Sequence, residues 1–192
     1  MNRVEEQQLI QQAQEGSSEA FAVLYREHVQ QIYRYIYYRT NDKHLAEDLT
    51  ADVFTKAIEG LSRYVDKGKP FISWLYRIAH ARVIDHYRRQ DRRPTATDVE
   101  DANLSVTPDM DATMLKQHAS NALLTAIQSL TDEQQQVIIL RFVDGLSTEA
   151  VAEQLGKKGN AIKAMQFRAV RSMASFLERS GFDAESILAG LF

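Results

Sequence analysis

Apolar positions recur at steps of three and four along most of the chain, the spacing of amphipathic helices. The first clear stripe is Phe21, Leu24, Tyr25, Ile32, Tyr35 and Ile36, with His28 between its two halves, and Ser17 or Ser18 can cap it. Thr40-Asn41-Asp42 breaks the pattern. A second stripe of Leu45, Leu49, Val53, Phe54, Ala57, Ile58 and Leu61 predicts a helix whose other face shows Glu47, Asp48, Asp52, Lys56 and Glu59. Gly60 weakens its end, and Asp66-Lys67-Gly68-Lys69 reads as a loop. Pro70 suits a first helical position, where its missing N–H costs nothing. A third helix then runs to about Arg89 and buries Phe71, Trp74, Leu75, Ile78 and Ile84.

No apolar period survives from Asp91 to Thr107, a stretch rich in Asp, Glu, Thr and Ser that reads as an acidic linker. Thr107-Pro108 opens the next helix, with Met110, Met114, Leu115, Leu123, Ile127 and Leu130 on one stripe. Thr131-Asp132-Glu133-Gln134 has the form of a capping box ahead of Val137, Ile138 and Phe142. Asp144-Gly145 makes a turn, Ser147 caps a helix from Thr148 to Leu155, and Gly156 ends it in the left-handed conformation. Lys157-Lys158-Gly159-Asn160 leads into a helix from Ala161 to about Leu177. The pattern therefore predicts an all-α chain of two helical domains joined by a flexible acidic linker, the C-terminal one a helix-turn-helix. The boundaries fall at 1–90, 91–107 and 108–178, with a tail over 179–192 that either packs on a domain or binds a partner.

Composition removes several function classes. The 192 residues include no Cys, which excludes disulfides, thiol nucleophiles and Cys-based metal sites and fits a reducing cytoplasm. No apolar run approaches the roughly 18 residues of a spanning helix, and the polar N-terminus is no secretory signal, so a cytoplasmic protein without membrane insertion is expected. HExxH, GxSxG and phosphate-cradling glycine loops are missing, and the His residues are scattered. The expectation is a non-enzyme with no cofactor, no catalytic residue and no metal site.

Charge is uneven beneath a formal net −3. Between Arg77 and Arg93 six Arg face two Asp, a local +4, and between Lys157 and Arg179 six bases face one Glu, a local +5. The acidic stretch Asp98 to Glu133 separates them, with seven acids against one Lys. Two basic patches flanking an acidic segment suggest two contacts with one polyanion, or simply solvated helix faces.

Three constellations carry candidate chemistry. In the helix-turn-helix, Ala152 is small enough for the second helix to cross closely, while Val151, Leu155 and Ile162 fill the space between. The start of the second helix then projects Lys157, Lys158, Asn160 and Lys163 outward, Gln166 lies within reach of a base edge, and Arg168 and Arg171 face the backbone. In the helix Trp74 to Arg89, Arg77, His80, Arg82, Arg88 and Arg89 interleave with aromatics, a surface that can hold phosphates and stack an unpaired base. Trp74 reads as core, and Tyr76 and Tyr87 fit either role. In Ala46 to Phe54, Asp48 and Asp52 share one helix face, flanked by Glu47 and Lys56. Like charges at that spacing repel, and nothing internal requires them, which suggests a basic protein partner or a solvated face.

These three segments, in this order, resemble the extracytoplasmic-function group of bacterial RNA polymerase sigma factors, over roughly Ala20 to Arg89 and Leu123 to Leu177. The resemblance implies promoter-specific transcription initiation: the protein binds core RNA polymerase, recognises two promoter elements and melts DNA. It places Ala46-Glu-Asp-Leu through Phe54 against the clamp helices of the largest polymerase subunit, with Glu47, Asp48, Asp52 and Lys56 as polymerase-binding residues. Phe71-Ile-Ser-Trp-Leu-Tyr-Arg-Ile-Ala79 through Arg89 is similar to the segment that melts and reads the minus-ten element. Leu130 through Ala169 looks like the domain that reads the minus-thirty-five element. An inhibitory anti-sigma partner is a further implication of the family. Three positions depart from its common pattern: Ala51-Asp52 replaces Gln-Glu, Ala81 stands where Asn is frequent, and Ile162-Lys-Ala-Met-Gln166 replaces Val-Lys-Ser-Arg-Leu. The acidic linker stands in place of the large third domain of housekeeping sigma factors, aimed at the basic RNA exit path. Two other classes remain: a stand-alone helix-turn-helix transcriptional regulator, and a helical protein that sequesters a partner.

Overall fold

A computed structural model describes residues 1–91 and 112–189, without the side chains of 91 and 112–116. All described elements are helical, and the chain divides into two compact units, Met1–Thr95 and Ala96–Phe192. The linker read over 91–107, its acids Asp98, Glu100 and Asp101, the helix start at Thr107-Pro108 and the stripe residue Met110 lie outside the described residues, as do the side chains of Met114 and Leu115.

The first unit holds α1 (Arg3–Gln14), α2 (Ser18–Thr40), α3 (Lys43–Leu61) and α4 (Phe71–Asp91). Caps punctuate it, at the predicted Ser17 and within the predicted break over 40–42. Ser17 accepts the Ala20 N–H at 3.2 Å, Asn41 ends α2 in the left-handed conformation at φ 52°, and Asp42 accepts the Leu45 N–H at 3.0 Å to start α3. Leu24, Ile32, Tyr35 and Ile36 of α2 meet Ala46, Val53, Phe54 and Ala57 of α3 and Phe71, Leu75, Ala79 and Val83 of α4 in one closed core.

Two expected core residues are exposed. Ile58 is 57% exposed, because it sits roughly 100° round the helix from the centre of the buried stripe of Ala46, Thr50, Val53, Ala57 and Leu61. Tyr25 is 41% exposed, although its ring meets Phe54 edge-on at 4.7 Å. Trp74, Ile78 and Ile84 of the α4 stripe are half-buried rather than core.

Helix α1 has no counterpart in the apolar pattern. Its face toward the unit is partly polar: Glu6 is buried, accepts the Phe71 N–H at 3.2 Å and lies 3.7 Å from His28 Nε2 and from Arg3 Nη1. Burial pushes the Glu6 carboxyl up, but His28, the Phe71 N–H and Arg3 outweigh it and hold it below its ordinary 4.5. A depressed carboxylate stabilises the fold fully above its unfolded value, and that contribution is lost as pH falls through the folded one. Urea unfolding of the full chain, followed between neutral pH and pH about 3, is therefore expected to show a loss of stability below about pH 4.5 that Glu6→Gln flattens. An unchanged profile in Glu6→Gln contradicts the assignment.

The second unit holds α5 (Ala112–Gln128), α6 (Asp132–Ile138) running into a π-helical turn over Ile139–Val143, α7 (Thr148–Leu155), α8 (Gly159–Arg179) and α9 (Ala184–Ala189). Ile127, Ile138, Ile139, Leu140, Val151, Ile162 and Met173 form its core. Two residues of α9 complete it: Ala184 and Leu188 are buried where α9 packs on α8 and α5, so this part of the tail packs on its own unit.

Candidate functional site

In the second unit the helix-turn-helix geometry is fixed by local chemistry. Ser147 accepts the Ala150 N–H at 3.0 Å to start α7, and Gly156 at φ 63° ends it, with the Lys157 N–H returning to the Ala152 carbonyl at 2.8 Å. Ala152 leaves room for α8, and Val151 and Ile162 close the joint with no exposure. Arg141 donates to the Leu146 carbonyl and so ties the π-helical turn to the start of α7. Lys158, Asn160, Lys163, Arg168 and Arg171 are exposed, and Gln166 is half-buried. Lys157 differs from its neighbours: it pairs with Glu133 of α6 at 2.8 Å and braces the turn. Phe167, which the basic reading of this helix passes over, is 69% exposed one turn from both Lys163 and Arg171.

In the first unit the outer face of α3 carries Glu47 and Asp48 in solvent, with His44 3.7 Å from Glu47. Lys56 pairs with Glu59 at 2.8 Å. Asp52 turns toward α4 instead, 3.6 Å from Arg82, and Arg82 also bonds Asp85 at 2.6 Å. The acidic and basic constellations thus touch through this pair, and Arg82 is half-buried between two carboxylates. Arg77, Arg88 and Arg89 are exposed on α4.

His80 is also drawn inward. Its Nδ1 lies 2.9 Å from Arg39 Nη1, so Nδ1 is the acceptor. Arg39 is buried, donates to the Tyr35 hydroxyl at 3.0 Å, and its carbonyl accepts the Tyr87 hydroxyl at 3.0 Å. Burial pushes the Tyr87 phenol up, with Asp42 adding to the shift and Arg39 opposing it. Tyr76 is buried against Tyr35 at 5.1 Å. His80, Tyr76 and the Tyr87 hydroxyl therefore join α2 to α4.

The loop before α4 adds cations to those the sequence reading placed on the helix. A cleft of about 420 Å³ opens between loop and helix, lined by Arg63, Lys67, Lys69 and Arg77 with Tyr64 and Trp74 among its walls. Tyr64 packs on Trp74 at 4.8 Å and on Phe71 edge-on at 5.5 Å. Gly60 lets the indole lie on the end of α3, since a Cβ there would stand 3.2 Å from Trp74 Cζ2. The volume is within the range of clefts that hold small planar ligands. Four cations around aromatic walls suit an anionic strand with a flat base. Among the described residues, no group of three His, Asp or Glu could hold a metal ion, and no helix is long and apolar enough to cross a membrane.

Comparison with known proteins follows the same division. Sigma-70 region 2 matches residues 24–93, and sigma-70 region 4 matches residues 120–173. The chain is 38% identical over 172 residues to the ECF RNA polymerase sigma factor BldN of Streptomyces coelicolor, a match that covers 88% of this chain and 65% of BldN, less than two thirds of its length. It is 36% identical over 136 residues to the RNA polymerase sigma factor YlaC of Bacillus subtilis, covering 69% of this chain and 78% of YlaC. CnrH, solved in complex with the cytosolic domain of CnrY, shares the fold at a TM-score of 0.68 and 22% identity, over 91% of this chain and 98% of that one.

Proposed function

The chain belongs to the extracytoplasmic-function group of RNA polymerase sigma factors, and from that premise we propose how its surfaces direct promoter-specific initiation. The exposed acids of α3, Glu47 and Asp48, bind core RNA polymerase at the clamp helices of the largest subunit. The exposed face of α8, with Lys158, Asn160, Lys163 and Phe167, enters the major groove of the upstream element. Arg168 and Arg171 hold its phosphates. Arg77, Arg88 and Arg89 with the Tyr64–Trp74 cleft take the unpaired strand of the downstream element.

The reaction is binding and strand separation. Unpairing a base costs a few kcal/mol, and stacking on an aromatic side chain returns about 1–3 kcal/mol per base, so a cationic cleft with aromatic walls can offset the opening. The net −3 of the chain weakens its own attraction to phosphate, which makes recognition depend on polymerase. An inhibitory protein that covers these surfaces belongs to the same reading.

One observation carries the proposal. The two sigma regions fall one on each compact unit, and each unit presents its own cationic surface. A stand-alone regulator would use only the second unit and leave the acidic face of α3 without a partner. The test is run-off transcription from a promoter library with core polymerase: a defined subset of templates is expected to fire with the chain and none without it. Transcripts indifferent to the chain would refute the proposal.

A further inference from the structure

We propose that α1 is the positioning element of the single-strand cleft: its polar side chains set the loop between α3 and α4, and with it the capture of an unpaired strand. This rests on the reading of the cleft given above.

Helix α1 has little apolar surface to bury, and Ile10 is its one core hydrophobic residue. Four of its polar side chains instead reach a single segment. Arg3 Nη2 donates to Asp66 Oδ1 at 2.6 Å, and Gln7 Nε2 donates to Asp66 Oδ2 at 2.8 Å. Gln14 Nε2 donates to the carbonyls of Leu61 at 2.9 Å and Tyr64 at 2.8 Å. Glu6 accepts the Phe71 N–H at 3.2 Å. Both ends of the loop and its middle are thus fixed from one helix.

Asp66 passes the constraint on. It accepts the Gly68 N–H at 2.8 Å, and Gly68 adopts φ 78°, a conformation that favours glycine. The carboxyl is held below its ordinary range, first by Gln7 and then by the Gly68 N–H and Arg3, which together outweigh the opposing effect of burial. The segment so held carries Arg63, Lys67 and Lys69, three of the four cations of the cleft. A loop without helix or strand pairing must find partners for its backbone elsewhere, and here α1 supplies them. Charge-assisted bonds such as Arg3–Asp66 are the strong ones, and they fix direction as well as distance. A helix that merely covered the core would need none of these links, whereas a helix that aims cationic side chains at a strand needs all of them.

The test uses the full chain with core polymerase on a promoter carrying a fluorescent adenine analogue in the downstream element. The double variant Arg3→Ala with Gln7→Ala removes the α1 hold on Asp66. Strand opening at limiting protein is expected to fall about tenfold, while polymerase capture is unchanged and amide exchange across 62–70 quickens. Arg3→Lys, which keeps the charge, is expected to restore most of the opening. Should the double variant lose polymerase capture, the single exposed change Gln7→Ala serves in its place, with a smaller fall in opening expected. Opening within twofold of wild type, or unchanged loop exchange, would overturn the proposal. If Arg63→Ala with Lys67→Ala leaves opening intact, the cleft reading itself fails and the proposal with it. Impaired cleft variants beside normal α1 variants would reject the role of α1 alone.

Discussion

Replacing Glu47 and Asp48 together by lysine is expected to abolish capture of core polymerase. Both side chains stand in solvent on the outer face of α3, and neither contributes to the core beneath. Close charge pairs across protein interfaces are worth about 1.5–7 kcal/mol each, so reversing two of them should weaken binding by a factor of at least about one hundred. Neutralising Asp52 should cost less, because that carboxylate already faces Arg82 at 3.6 Å and part of its field is spent inside the unit. Co-elution with core polymerase in gel filtration measures the effect, and circular dichroism of the free variant shows that its helices are intact. Undiminished capture by the double variant would remove α3 from the interface.

The second large effect is expected on α8. Lys163→Ala and Phe167→Ala should each cost about 1–3 kcal/mol at the upstream element, roughly five- to 150-fold in holoenzyme binding, and relax the preference at one base pair. Phe167 offers an apolar contact of the kind a thymine methyl accepts, and its 69% exposure leaves it without a role inside the unit. Arg171→Ala should behave differently. It should weaken all sequences alike and lower the salt dependence by about one ion. Competition binding across upstream-element variants at two salt concentrations separates these outcomes. A uniform loss for Phe167→Ala would move that residue from base reading to simple packing.

Apolar periodicity and caps make the helices legible in the sequence. The greater part of the stripes of α2, α3 and α4, the break at Thr40-Asn41-Asp42 and the Ser147–Gly156 frame of α7 depend on neighbours a few residues away, and they stand as the pattern predicts. What escaped the pattern depends on polar burial and on distance along the chain. Helix α1 docks mainly through Arg3, Glu6, Gln7 and Gln14, so its sequence looks like solvated surface. Arg39 is buried with His80 and Tyr35 beside it, and nothing local marks an arginine as core. The cleft unites loop cations with Arg77 and Trp74, a juxtaposition that exists only once α4 has packed on α3. Ile58 shows the converse limit: the right spacing on the edge of a stripe still points to water.

The contact between Asp52 and Arg82 places α3, proposed to face polymerase, next to α4, proposed to face the strand. The surfaces proposed for polymerase and for the opened strand are therefore neighbours within the first unit, whereas the proposed upstream-reading surface belongs to the second. That division sets the central claim: one unit grips polymerase and the opened strand, the other reads duplex.

Permanganate footprinting of the reconstituted holoenzyme on a responsive promoter tests this most directly. Reactive, unpaired thymines at the downstream element are expected together with protection of an intact upstream duplex, both lost when either core polymerase or the chain is omitted. Downstream thymines that stay paired in a complex that still protects the upstream element would contradict it.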